Sequence, residues 1–209
     1  MTETNLTNTE PLNKVMMLFM LLIFSLVCFG CTSREENEIK ELMNAVFEWE
    51  LNRGEEVIVF AEAEENWEIP WLDSCSVEGI LSLQSDFHYK VLFKDVFTKA
   101  DAEKICREGK QAFLFQQEMF PEGVKVSPEK GRYDSLSKAF FNALGTPEIV
   151  ELDMELKKYS RFKTISKPVF LQDYRFAFFY MAQEGTHLSV LKKENGKWVH
   201  YFTVTLVLV

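Results

Sequence analysis

The dipeptide Asn195-Gly196 separates two long runs, Thr186–Glu194 and Lys197–Val209, in which apolar and polar side chains alternate. Asn-Gly accommodates the two left-handed conformations of a type I′ turn, whose twist matches that of the strands on either side. The pair predicts a β-hairpin, and a two-residue loop leaves no freedom of register. Lys193 is expected opposite Trp198, Leu191 opposite His200, and His187 opposite Val204. Alternation assigns Trp198, His200, Phe202, Val204, Leu206 and Leu208 to one face of the last strand, with Val199, Tyr201, Thr203 and Thr205 on the other. A strand of that length is expected to bend or to carry a bulge.

Upstream, Phe162–Ser166 and Tyr174–Met181 also read as strands, on either side of Pro168. The first half of the chain reads mainly as helix. Ile39, Leu42, Met43, Val46 and Phe47 have helical spacing within Glu35–Arg53, and Gly54 closes the run. Thr98, followed by Asp101, predicts an N-cap with a capping box for a helix ending near Gly109. A helix is expected over 134–144, closed by Gly145. Thr146-Pro147-Glu148 then predicts the start of another that runs to Tyr159 and buries Ile149, Leu152 and Leu156. Residues 57–60, 112–116 and 124–127 are short strand candidates, and 66–76 reads as loop. Helices first and strands last predict an α+β domain, its N-terminal helices packed on a C-terminal curved antiparallel sheet, a meander. The arrangement resembles the cone-shaped folds of nuclear-transport-factor-2 and cystatin type, in which helices close over a curved sheet. From Ser166-Lys167-Pro168-Val169-Phe170 to Lys192-Lys193-Glu194-Asn195-Gly196-Lys197-Trp198, the chain also resembles a loose group of uncharacterised exported bacterial proteins. Both likenesses imply a fold and no activity.

Val15 to Gly30 is an apolar run without a charge. It is shorter than the roughly 20 residues of a membrane-spanning helix and close to the h-region of a secretory signal, with Lys14 before it and the small Gly30 at its exit. Cys28-Phe29-Gly30-Cys31 resembles the lipobox of bacterial lipoproteins. The resemblance implies a signal peptide over 1–30 and Cys31 as the thiol that accepts diacylglycerol, followed by a tether over 31–37 and a single domain over 38–209. An uncleaved anchor is the alternative. Either reading places the body of the protein in the cell envelope, tethered to a membrane. Arg34-Glu35-Glu36 resembles the surface-export signal of some Gram-negative lipoproteins; a solvated tether accounts for the same residues, so a periplasmic and a surface position both stand.

The formal charge of the chain is −9, and loss of Lys14, Glu3 and Glu10 with residues 1–30 changes it to −8. Such a surface disfavours nucleic acid and suits a basic protein partner. Nineteen phenylalanines and four tryptophans are many for this length; most are expected in the core, and any that faced a cavity or the surface would mark a binding site. Cys75 and Cys106 are the cysteines left for a disulfide in an oxidising compartment.

Catalytic signatures are missing: the sequence holds no Gly-x-Ser-x-Gly, phosphate loop, His-Glu-x-x-His or calcium loop. Asp86 and His88, two residues apart, form the one acid–base pair that a strand would place on a common face. Cys75, His88 and Cys106 match no zinc spacing, and neither metal nor cofactor is expected. Trp67 and Trp71, among Glu62, Glu64, Glu65 and Glu68, form a candidate protein-contact patch, and His200 is a candidate cavity residue. Three functions compete. The first is a lipid-anchored protein that binds a protein partner or a small apolar ligand. The second is an inhibitor or immunity lipoprotein directed against a basic hydrolase or toxin. The third is an extracytoplasmic hydrolase using Asp86 and His88.

Overall fold

A computed structural model describes residues 34–64, 76–85, 91–182 and 185–208; Cys31, Trp67, Trp71, Cys75, Asp86 and His88 lie outside these. Ile39–Val209 forms one compact unit and Met1–Glu38 another, of which 34–38 are described and helical. Residues 34–37, expected as tether, therefore already belong to helix α1 (34–52). From Ile39 onward α1 buries the stripe its spacing implies: Ile39, Leu42, Met43 and Phe47 are at most 1% exposed. It stops in a Schellman turn, where Glu55 N–H donates to the Glu50 carbonyl and Gly54 N–H to that of Leu51. Gly54, at φ 72°, supplies the left-handed residue this turn requires.

The chain is an α+β fold built on a mixed sheet. Its strands are β1 (Val57–Phe60), β2 (Val124–Ser127), β3 (Phe162–Ile165), β4 (Val169–Leu171), β5 (Phe176–Ala182), β6 (Gly185–Glu194) and β7 (Lys197–Leu208). They lie in the order β2-β1-β3-β5-β6-β7, with β4 also paired to β5. The C-terminal strands form the expected antiparallel meander. The sheet does not end there, because β1 runs parallel to both β2 and β3. Parallel neighbours need long crossovers, and helices provide them: α2 (Val77–Ser82), α3 (Phe93–Val96) and α4 (Lys99–Glu108) between β1 and β2, then α5 (Lys130–Asn142) and α6 (Ile149–Leu156) between β2 and β3. The expected strand over 112–116 is reduced to one bridge, Leu114 with Glu62.

Strand β5 shows how both faces of the sheet are filled. Phe176, Phe178 and Tyr180 pack into one core with Ile80, Phe93, Ala102 and Ile105 of α2–α4. Ala177 and Phe179 point the other way, into a second core with Ile39, Leu42, Met43 and Phe47 of α1. Local signals position these helices. Ser76 caps α2 by accepting from Gly79 N–H, and Thr98 and Asp101 close the predicted capping box on α4. Between β3 and β4, Pro168 has no N–H to give, and the buried Ser166 hydroxyl accepts from Tyr180 N–H at 2.9 Å.

Asn195 (φ 50°) and Gly196 (φ 79°) make the predicted turn, and Lys193–Trp198 and Leu191–His200 pair as expected. Beyond that point the register shifts. Val190 pairs with Phe202, leaving Tyr201 as an extra residue, and a second shift leaves Leu206 extra, so that His187 meets Thr205 and not Val204. One extra residue reverses the face of everything after it. The last strand consequently has no single apolar face: Trp198 joins the core under α1, whereas Phe202, Val204 and Leu206 join the core under α2–α4.

Two ties cross long stretches of sequence. Lys163, on β3 and 8% exposed, donates to Glu50 of α1 at 2.8 Å. Cys106, on α4, is in a disulfide whose partner lies outside the described residues. Losing either partner of the ion pair strands a charge in a dry setting, so Glu50→Ala or Lys163→Ala is expected to cost about 3 kcal/mol in urea unfolding. The double replacement Glu50→Leu/Lys163→Met should stay within about 1 kcal/mol of wild type, and a large loss there would sink this account. Peptide mapping without reductant is expected to join Cys75 to Cys106, and Cys75→Ser to lose about 3 kcal/mol.

Candidate functional site

Of the candidate binding residues Trp67, Trp71 and His200, His200 is described. It is exposed on β7 and is 2.7 Å from the Thr203 hydroxyl; partial desolvation lowers its pKa below the ordinary imidazole value. Across the sheet, His187 Nδ1 lies 3.3 Å from Thr205 Oγ1. Among the described residues, no group of three or more His, Cys, Asp or Glu side chains is placed to hold a metal. Part of the acidic cluster after β1 has a structural role, because Glu64 is 3.3 Å from Lys130 at the start of α5.

Two clefts are of interest. One, of about 590 Å³, lies between α1, Pro121 and the β6–β7 turn, and Glu41, Asn44, Glu48 and Asn52 line it along one side of α1. Its aromatic wall, Trp198, has little ring to offer: it is 5% exposed, 5.7 Å from Phe170 and 5.4 Å from the Lys193 ammonium. The other cleft, of about 290 Å³, runs between α5–α6 and the sheet, and its aromatic lining is unusually dense: Phe60, Tyr133, Phe140, Phe141, Tyr159 and Phe162.

This second site is built from the base of the α5–α6 hairpin outward. Phe60 and Phe162, on the parallel strands β1 and β3, pack with tilted rings at 5.0 Å; Tyr159 stacks on Phe60 at 6.2 Å, and Tyr133 of α5 meets Phe60 at 5.3 Å and Tyr159 at 5.6 Å. Desolvation in this cluster raises the pKa of Tyr159. Lys130 adds a polar tie, 2.9 Å from Asp134 and 3.3 Å from Glu64. Desolvation opposes its charge, but the hydrogen bonds and negative charge of Asp134 and Glu64 outweigh that and raise its pKa. A raised ammonium pKa means the tie is at full strength below the unfolded-state value and weakens only in strongly alkaline solution.

Beyond that base the hairpin is uncovered. Tyr133, Ser137, Phe140 and Phe141 follow helical spacing along α5, and Leu144 in the turn after it continues the spacing, the pattern of a stripe made for burial. Nevertheless neither α5 nor α6 has a buried residue. Phe141, Leu144, Val150 and Met154 are 57–65% exposed, and they are most of the large apolar side chains exposed among the described residues. Sequence reasoning placed both helices but missed this surface, and it misplaced their ends. Helix α5 starts at Lys130, before the expected 134, and α6 starts at Ile149. Thr146 does not cap α6. Its hydroxyl donates to Ala143 O at 2.9 Å and so belongs to the connecting turn. In that turn Glu148 is fully exposed, and hydrogen bonds from Thr146 and its own backbone hold its carboxylate below the usual range.

The chemistry on offer is apolar contact, with no acid–base pair or nucleophile beside it among the described residues. Exposed residues contribute little to folding, so Phe141→Ser and Met154→Ser are expected to change unfolding free energy by less than about 0.5 kcal/mol. Phe60→Ala, at the base, should cost about 3–5 kcal/mol. Urea titrations distinguish the two, and a large loss at Phe141 or Met154 would show that the stripe belongs to the core. No family model, no curated protein and no solved structure matches this chain.

Proposed function

We propose that this is a lipid-anchored protein of the cell envelope that acts by binding a protein partner through the α5–α6 hairpin. The observation that carries the binding role is the exposure of Phe141, Leu144, Val150 and Met154 on a hairpin whose helices bury nothing completely. Large apolar side chains exposed together on one hairpin are costly to keep in water and mark interaction sites. A protein partner suits it better than a small apolar ligand. The sheet, where a cone-like cavity was expected, has side chains packed on both faces, and the aromatic cleft of about 290 Å³ is at the small end for ligand pockets. The anchoring half of the proposal rests on the lipobox resemblance of Cys28-Phe29-Gly30-Cys31. No helix among the described residues is long and apolar enough to cross a membrane.

Both halves can be tested in cells. Fatty-acid labelling is expected for wild type and not for Cys31→Ala; label on neither would remove the lipid anchor. A photo-crosslinking residue at position 141 or 154 should yield a discrete protein adduct, and one at Trp49, exposed on α1, should not. Without adducts from the hairpin, the docking role fails.

A further inference from the structure

The charges around the uncovered stripe restrict what can cover it. Helix α6 and the residue before it carry Glu148, Glu151, Asp153 and Glu155. The two towards its C-terminal end are neutralised: Asp153 pairs with Lys157 at 2.7 Å, and Glu155 with Lys158 and Arg132. Glu148 and Glu151, which bracket the exposed Val150, are exposed themselves and have no basic partner among the described residues. Against them α5 offers one exposed cation without an acidic partner among the described residues, Lys138, so the balance of free charge on the hairpin is negative.

We propose that the occupant of this surface is a cationic amphipathic segment of a protein partner, with lysines or arginines beside its apolar side chains. The inference rests on the docking role of the hairpin and adds the chemistry of what docks. Each alternative meets the same obstacle. A bilayer with anionic lipids would repel Glu148 and Glu151 and would have to desolvate them. A second copy joined by two-fold symmetry would bring the same excess of acid to the shared face and supply no matching excess of base. A basic segment pairs both charges while its apolar side covers Phe141, Leu144, Val150 and Met154, a helix doing so with residues at helical spacing.

The test uses the full chain in nanodiscs of zwitterionic lipid, with empty nanodiscs subtracted. The probes are a dye-labelled leucine–lysine amphipathic helix and its leucine–glutamate counterpart. The lysine probe is expected to bind at least about tenfold more tightly, and to weaken about tenfold with Phe141→Ser/Val150→Ser. Glu148→Gln/Glu151→Gln should weaken it several-fold and remove much of its salt dependence. Glu103→Gln/Glu118→Gln, exposed acids on other elements, should leave binding unchanged. Equal binding of both probes, or equal weakening by the two acid pairs, would overturn the proposal. The cellular crosslinks separate the levels. Adducts at 141 and 154 that persist undiminished in Glu148→Gln/Glu151→Gln would overturn the cationic partner and leave the docking surface standing. Loss of adducts at both sites in wild type would overturn the docking role itself, and this inference with it.

Discussion

Everything in this molecule is arranged around a sheet that must be dry on both sides. Phe178 and Phe179 are neighbours in sequence and are both essentially inaccessible, one under α2–α4 and one under α1. A strand buried on both faces has no solvent side to spend polar residues on, which accounts for the run Phe176-Ala177-Phe178-Phe179-Tyr180. It also accounts for much of the chain's phenylalanine. At roughly 25 cal/mol per Å² of apolar area removed from water, each fully buried ring contributes a few kcal/mol, and such terms must offset the ordering of both helical layers.

The same constraint isolates the α5–α6 hairpin. The helices α2–α4 cover the antiparallel half of the sheet, and the hairpin reaches the parallel half only through the aromatic cluster of Phe60, Tyr133, Tyr159 and Phe162 and the Lys130 tie. Its attachment is narrow relative to its length. One end is fixed by stacked rings, and the other holds its apolar side chains out into water. Such an element contributes little to folding beyond its base, which leaves its outer surface free to be selected for another purpose.

What could be read in the sequence was whatever depended on near neighbours. The Asn195-Gly196 turn, its first two register pairs, the Thr98–Asp101 capping box and the Gly54 stop each involve residues a few positions apart, and each formed as expected. Relations across the chain could not be read. The parallel pairing of β1 with β2 and β3 depends on where two crossovers land, and the Lys163–Glu50 pair joins positions 113 apart. The candidate site failed for another reason. Helical periodicity in Tyr133, Phe140, Phe141 and Leu144 is identical whether a neighbour covers the stripe or leaves it bare. Trp67, Trp71, Asp86 and His88 lie outside the described residues.

The extra residue at Tyr201 also bears on how the C-terminus can vary. Because it hands the strand from the α1 core to the α2–α4 core, the tail is sensitive to length more than to composition. Swapping one branched aliphatic residue for another at Val204 is a local matter of volume. Deleting Tyr201 would only leave Leu191–His200 and Val190–Phe202 as consecutive pairs of an unbroken ladder, whereas deleting the paired Thr203 would turn Val204 towards the wrong layer and present Thr205 to the core. In this segment, then, the effect of a frame-preserving deletion depends on which codon is lost: an unpaired residue can go, a paired one cannot.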